Sequence, residues 1–196
     1  MYEFSEAIKG FSDIPISLIA LILGLFARKR ETTKGFSLLF ILVSFAAFVG
    51  ALVHIFKVPY IVKTAVWVFL YFVLYECVKR FTFLFVKYIK KGENTPKFIS
   101  FAEYPFYLLS VIFLIFVKDY DMLFFVFFSA VCIITIAYIL VKEKRITRNL
   151  LIFILIIPVV VLFQMFSRFI PYAVLFEHII IAALLFLVYL MAIEKN

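Results

Sequence analysis

Residues 28–57 read RKRETTKGFSLLFILVSFAAFVGALVHIFK. Basic residues crowd the first end (Arg28, Lys29, Arg30, Lys34), one lysine (Lys57) stands at the other, and His54 is the only ionisable side chain between Lys34 and Lys57. At 1.5 Å per residue in a helix, the apolar run 36–56 covers about 30 Å, the thickness of a bilayer's hydrocarbon core. Such a stretch is an apolar helix with lipid as its solvent.

The pattern recurs along the chain. Of its 196 residues, 67% are hydrophobic and 20% aromatic, and the mean hydropathy is +1.17, whereas a soluble domain is only about half apolar. Apolar runs between charged or turn-forming breaks predict seven helices, at 13–28, 36–56, 60–80, 99–117, 121–141, 149–168 and 172–192. The fold class expected is all-α, a single transmembrane bundle over 1–196. Glu3, Glu6 and Asp13 oppose one lysine in residues 1–13, which is not the basic start of a cleaved signal peptide. The first apolar run is therefore read as a retained helix. Cys77 and Cys132 fall in apolar segments at different depths, which offers neither a disulfide framework nor a metal-binding spacing.

A formal charge of +8 raises nucleic acid as a partner, but the positions of the charges answer otherwise. The first, third and fifth breaks, with Lys195, hold 15 basic residues. The opposite ends hold five: Lys9, Lys57, Lys63, Lys118 and Arg168. Basic residues favour the cytoplasmic side, so the N-terminus is expected outside and the C-terminus inside. The alternation holds at every break, which supports the odd helix count. The short basic loops lack the aromatic patterning of a nucleic-acid module, and no nucleic-acid partner is expected. The localisation expected is the cell membrane, crossed several times.

Helix three is expected to continue past residue 80 through Phe81, Phe83, Phe85, Lys87, Tyr88, Lys90 and Lys91, then to turn at Gly92-Glu93-Asn94-Thr95-Pro96. Pro96 and Pro105 limit the start of helix four, and Pro158 should kink helix six. Leu38-Leu39 through Val58-Pro59-Tyr60 echoes Leu150-Leu151 through Ile170-Pro171-Tyr172, a spacing compatible with two three-helix units joined by helix four and equally with chance similarity. Small residues at Gly24, Gly50, Ala46, Ala47 and Ala51 mark close helix contacts.

Ionisable side chains at membrane depth are costly and therefore mark candidate sites. His54 lies near the outer end of the second helix and His178 near the outer end of the seventh, within about one turn of each other in depth. Asp13 opens the first helix at that level, Glu177 adjoins His178, and Gln164 and Arg168 end the sixth. These six residues form the candidate ligand-binding set. Two readings stand for it. In one, imidazoles and a carboxylate bind a metal or move a proton. In the other, Ser12-Asp13 caps the first helix, Glu177 points toward headgroups and the histidines bond to neighbouring helices. Glu76 and Glu103 lie toward the inner side near Lys79, Arg80 and Lys97, an arrangement suited to interfacial ion pairs.

Three segments carry a resemblance: Ser12-Asp13 with Leu18-Ile19-Ala20-Leu21 and Ala27-Arg28-Lys29-Arg30; Phe45-Ala46-Ala47-Phe48-Val49-Gly50-Ala51-Leu52-Val53-His54; and Leu175-Phe176-Glu177-His178. About a quarter of the chain thereby resembles an uncharacterised prokaryotic seven-helix family that is distantly similar to the CREST superfamily, which includes the alkaline ceramidases. The resemblance implies a zinc site held by a Ser-x-x-x-His and a His-x-x-x-His, with metal-bound water attacking a lipid amide. Here Gly50 stands at the serine position, and Val174 and Ala182 stand where a second helix-seven histidine would be. A catalytic zinc takes three protein ligands, so a carboxylate, Asp13 or Glu177, would have to join His54 and His178 as metal ligand, Asp13 being the better placed because Glu177 points about 100° away from His178 around the helix.

Other seven-helix roles fit poorly. Residues 172–193 contain no lysine for a retinal Schiff base, the cytoplasmic loops are short for a receptor, and the helix middles offer only scattered polar groups to a channel. Two functions remain: binding a lipid ligand or membrane protein partner through the outer polar site, and zinc-dependent hydrolysis of a lipid amide or ester. The sequence fixes neither a catalytic residue nor an oligomeric state.

Overall fold

A computed structural model describes residues 2–31, 33–56, 58–89, 105, 107–108, 111–112, 115–116, 148–167, 169–170 and 172–194. Five long helices run through them: α1 (Tyr2–Arg28), α2 (Lys34–Ile55), α3 (Tyr60–Ile89), α4 (Arg148–Ser167) and α5 (Ala173–Glu194). No strand occurs among the described residues. Among the described residues, four stretches are long and apolar enough to cross a membrane, Glu6–Arg28, Lys34–Ile55, Tyr60–Phe81 and Ala173–Ile193. They point to a membrane protein. The expected segment 121–141 lies outside the described residues, and seven residues of 99–117 are described, all of them helical.

Helix α1 begins eleven residues earlier than expected. Ser12 and Asp13 are therefore interior residues and cap nothing, and Pro15 also lies inside the helix. The early turns are held without a cap at Ser12. Glu6 lies 3.6 Å from Lys9 one turn on. Helix α3 continues to Ile89, in line with the expected extension beyond residue 80.

One face of each long helix is apolar and exposed while the other is packed. On α1, Leu18, Leu21, Ile22, Leu25 and Phe26 are exposed, and Ile16, Ala20, Leu23 and Ala27 are buried. Both sets follow the 3/4 spacing of a helix face. Lipid tails solvate leucine as well as protein does, so helices in a bilayer associate through close contact and hydrogen bonds rather than hydrophobic exclusion.

The α1–α2 hairpin illustrates this. At Gly24 a β-carbon would stand 3.1 Å from Ile41 Cγ1 and 3.3 Å from the Ser37 carbonyl, and the Ser37 hydroxyl donates to the Gly24 carbonyl at 2.9 Å. Ser17 donates to the Ser44 carbonyl at 2.9 Å across the same seam. At its far end Gly10 meets Ala51 and Ile55. Gly10, Ser17 and Gly24 are spaced by seven, the repeat of a seam between helices crossing at a shallow angle. Thr33, in the turn, donates to the Ala27 carbonyl at 2.8 Å and so satisfies one orphan group at the end of α1.

Helix α1 packs between α2 and α5, α2 also meets α3, and α5 also meets α4. The central helix thus carries its N-terminal third past three different neighbours.

Candidate functional site

Glu6, Lys9, Ser12 and Asp13 fall at spacings of three, six and seven along α1, which places them within about a third of the helix circumference. That arc faces α2, α3 and α5. Two polar clusters result.

The first is centred on Glu6. Its Oε2 lies 3.0 Å from His54 Nδ1 on α2 and accepts from Lys63 Nζ on α3, also at 3.0 Å. Oε1 lies 3.6 Å from Lys9 Nζ. The His54 side chain is 6% exposed and that of Glu6 15%, so the carboxylate sits largely out of solvent and depends on these partners. Gly10 lets the histidine come this close, for a β-carbon there would be 3.1 Å from His54 Cβ and 2.9 Å from the Ala51 carbonyl oxygen. The outer edge of the imidazole rests against Trp67, with centroids 5.5 Å apart and planes at 66°.

The second cluster joins α1 to α5. His178 Nδ1 lies 2.6 Å from Ser12 Oγ, and its Nε2 lies 3.5 Å from Asp13 Oδ1. Ser12 has one hydroxyl hydrogen, and the carbonyls of Ile8 at 2.8 Å and Lys9 at 2.9 Å stand ready to accept it. The serine hydroxyl either donates to Nδ1 or accepts from it, and Nε2 faces the Asp13 carboxylate, so the ring bridges both residues of α1. The other oxygen of Asp13 faces Gly50 of α2, 3.5 Å from where a β-carbon would be.

Beside this pair runs a groove of ≈ 630 Å³ between α1, from Ile8 to Ile19, and the start of α5, from Tyr172 to Ala182. Its lining is almost wholly apolar, with Ser12 and His178 as polar groups partway along. Eleven residue steps on α1 make it about 16 Å long, close to the hydrocarbon depth of one leaflet. Its volume lies within the range of small-molecule sites, about 300–1,000 Å³.

Of the residues singled out in the sequence, Asp13, His54 and His178 all join polar clusters on α1, each histidine meeting a different carboxylate. Glu177 does not point toward headgroups. It is 1% exposed and shares the buried stripe of Leu184, Val188 and Met191 at helical spacing. The side chain of Gln164, and Arg168 entirely, lie outside the described residues. Glu6, Lys63 and Ser12 are members that sequence reasoning left out of the set. The signal for Glu6 was its seven-residue spacing from Asp13, which becomes visible once the helix is taken back to residue 2.

A metal would need three ligands converging on one point. Among the described residues, no group of three His, Cys, Asp or Glu is placed to hold an ion. Asp13, His54 and His178 do not form such a group. Cys77 is buried and makes no disulfide, and Cys132 lies outside the described residues.

Compared with models of known protein families, with curated proteins and with solved structures, the chain matches none.

Proposed function

We propose that this protein is a seven-span membrane protein, N-terminus outside and C-terminus cytoplasmic, that binds one acyl chain of an outer-leaflet lipid between α1 and α5. The groove carries this reading: it is apolar, open along its side, about one leaflet long, and holds a polar pair partway down its wall. Lipid is the solvent around it, since the neighbouring faces expose Phe11, Leu18, Leu175 and Ile179. A chain bound there would exchange directly with the bilayer.

The CREST resemblance enters this reading as architecture rather than chemistry. Gly50, at the family's serine position, packs beside Asp13. Ala182, one of the two positions, with Val174, at which the family's second histidine would stand, lines the groove. Both departures replace a reactive side chain with a small one and leave room for a ligand. The zinc-hydrolase reading lacks its third ligand among the described residues. Accordingly, purified protein should hold no stoichiometric zinc, and His54→Ala with His178→Ala should leave metal content unchanged.

The test is quantification of co-purifying lipid by mass spectrometry after gentle detergent extraction. Wild type should retain about one lipid per chain. Ile179→Ser changes a groove residue that is 66% exposed, so folding does not depend on it, yet it should lower lipid retention several-fold. Ala182→Phe should do the same by filling the groove. Lipid retention unchanged by both variants would refute the assignment.

A further inference from the structure

We infer that the Arg28 end of α1 is the headgroup site for one anionic phospholipid, whose acyl chain lies along the exposed stripe of the same helix. The site is separate from the groove, whose lining on α1 ends at Ile19. It requires only that α1 crosses the membrane, and in the orientation proposed above its lipid belongs to the cytoplasmic leaflet.

A lipid phosphate can use a fixed cation only where its acyl chain also finds a place, and α1 offers both on one face. Leu18, Ile22, Leu25 and Phe26 are exposed, Phe26 by 50%. Lys29 is the next position at helical spacing. From Leu18 to Phe26 the stripe runs eight residue steps, about 12 Å, which is most of the hydrocarbon depth of one leaflet. At its head the Lys29 N–H donates to the Phe26 carbonyl at 3.2 Å, and the Lys29 ammonium lies 5.7 Å from the centre of the Phe26 ring. The charge is thus held over a ring that faces lipid. A phosphate joined to a chain on the stripe arrives at that level.

The neighbouring charges leave the cation available. Arg28, Lys29 and Arg30 are consecutive and exposed. Glu31 is the one acidic residue between Phe26 and Lys34, and Lys34 engages it at 3.2 Å. Among the described residues no carboxylate lies within ion-pair reach of Arg28, Lys29 or Arg30. Elsewhere the lysines are matched: Lys79 lies 3.5 Å from Glu76, and Lys9 and Lys63 share Glu6. Three like charges on successive residues repel one another, and a phosphate relieves that repulsion while accepting paired N–H groups from arginine. A zwitterionic headgroup brings its own cation to the same place. Preference for the anionic lipid follows, about tenfold at low salt for two or three basic residues near a membrane surface.

The experiment uses the full chain in micelles of a non-ionic detergent with equal amounts of phosphatidylglycerol and phosphatidylcholine of identical acyl chains, the retained lipids being counted by mass spectrometry. Wild type should retain phosphatidylglycerol about tenfold over phosphatidylcholine, and 1 M salt should remove most of that preference. Arg28→Gln, Lys29→Gln and Arg30→Gln together should abolish it, whereas Lys79→Gln, whose cation is already paired, should keep it. Ile179→Ser, which alters the groove, should also keep it, so failure of the groove assignment and failure of this one give different results. Glycerol phosphate at equal concentration should not displace the lipid, since it lacks the chain. Equal retention of the two lipids by wild type, or a preference that survives the triple substitution, would overturn the site. A preference lost as fully in Lys79→Gln would show diffuse attraction to all basic ends and overturn it too. The salt dependence needs no variant, so the site stays open to refutation even if the triple substitution prevents folding.

Discussion

Glu6 shows how a single carboxylate organises one end of a bundle. Two of its contacts, to His54 and Lys63, are at 3.0 Å, and in surroundings this poor in water an unmatched charge costs far more than at a surface. Glu6→Gln leaves Lys63 and Lys9 facing a neutral amide. The expected loss is about 3 kcal/mol, read as a lower unfolding midpoint in detergent, and Lys63→Met in the same chain should change stability by less than it does in wild type, because the Glu6–Lys63 pair is already gone. Trp67 gives an internal reporter for the same cluster. It is the only tryptophan, and its ring lies 5.5 Å from that of His54. His54→Asn removes that ring contact, so Trp67 emission should change in the variant. At this scale the sequence was informative about which residue types are costly in lipid: Asp13, His54 and His178 were visible as ionisable groups in apolar runs. Their partners were not, because Ser12-Asp13 before an apolar run has the look of a cap, and that reading cut Glu6 out of the helix. Glu177 could not be placed either, since its direction depends on the rotation of α5, which a uniformly apolar helix does not encode.

The α1–α2 seam is the element-scale counterpart. Its closeness rests on Gly10 and Gly24, whereas Gly50 has only an ordinary contact to Asp13 at 3.5 Å. The three glycines therefore make different predictions from the same substitution. Gly50→Ala should be neutral or stabilising by up to about 1 kcal/mol, the gain in helix propensity. Gly10→Ala puts a β-carbon 2.6 Å from Ile55 Cγ1 and 2.9 Å from the Ala51 carbonyl oxygen. The side chain can yield, but the backbone cannot without separating the helices. A loss of about 1–3 kcal/mol is expected, and because His54 lies on the displaced turn, Trp67 emission should change with it. Thermal midpoints and Trp67 emission of the two variants, measured side by side, check both. Loss of equal size in Gly10→Ala and Gly50→Ala would show that glycine flexibility, rather than close approach, is what the seam needs. Helix existence was legible here from hydropathy, and Gly24 from its small size. The start of α1 was not, because Ser12-Asp13 before an apolar run reads as a cap, and the contacts of Glu6 and Gly10 beyond it are made with the distant residues of α2 and α3.

For the molecule as a whole, hydropathy and charge act on different levels. Apolar length fixes which segments can cross, as in the four stretches from Glu6–Arg28 to Ala173–Ile193, but says nothing of direction. Charge supplies the direction. The end at which α1 passes to α2 carries Arg28, Lys29, Arg30 and Lys34, and the C-terminal half of α3 carries Lys79, Arg80 and Lys87, while the opposite end has Lys57 between α2 and α3 and Lys63 in the first turn of α3. The antiparallel α1–α2 seam keeps the first of these ends apart from the Glu6–His54 cluster by the full length of the hairpin. An orientation with the basic ends in the cytoplasm therefore puts both polar clusters and the upper groove at the outer face. A reporter active only in the cytoplasm should be silent when inserted between Lys57 and Tyr60 and active when fused after Lys195. If both positions read external, the total number of crossings is even, the outer placement of the site survives, and the count of seven fails. If the two readings are exchanged, the count stands and the site moves to the inner face, where the lipid offered to the groove would come from the other leaflet. Because each error leaves its own signature, two fusions are enough to separate an odd number of crossings from an even one and to give their direction.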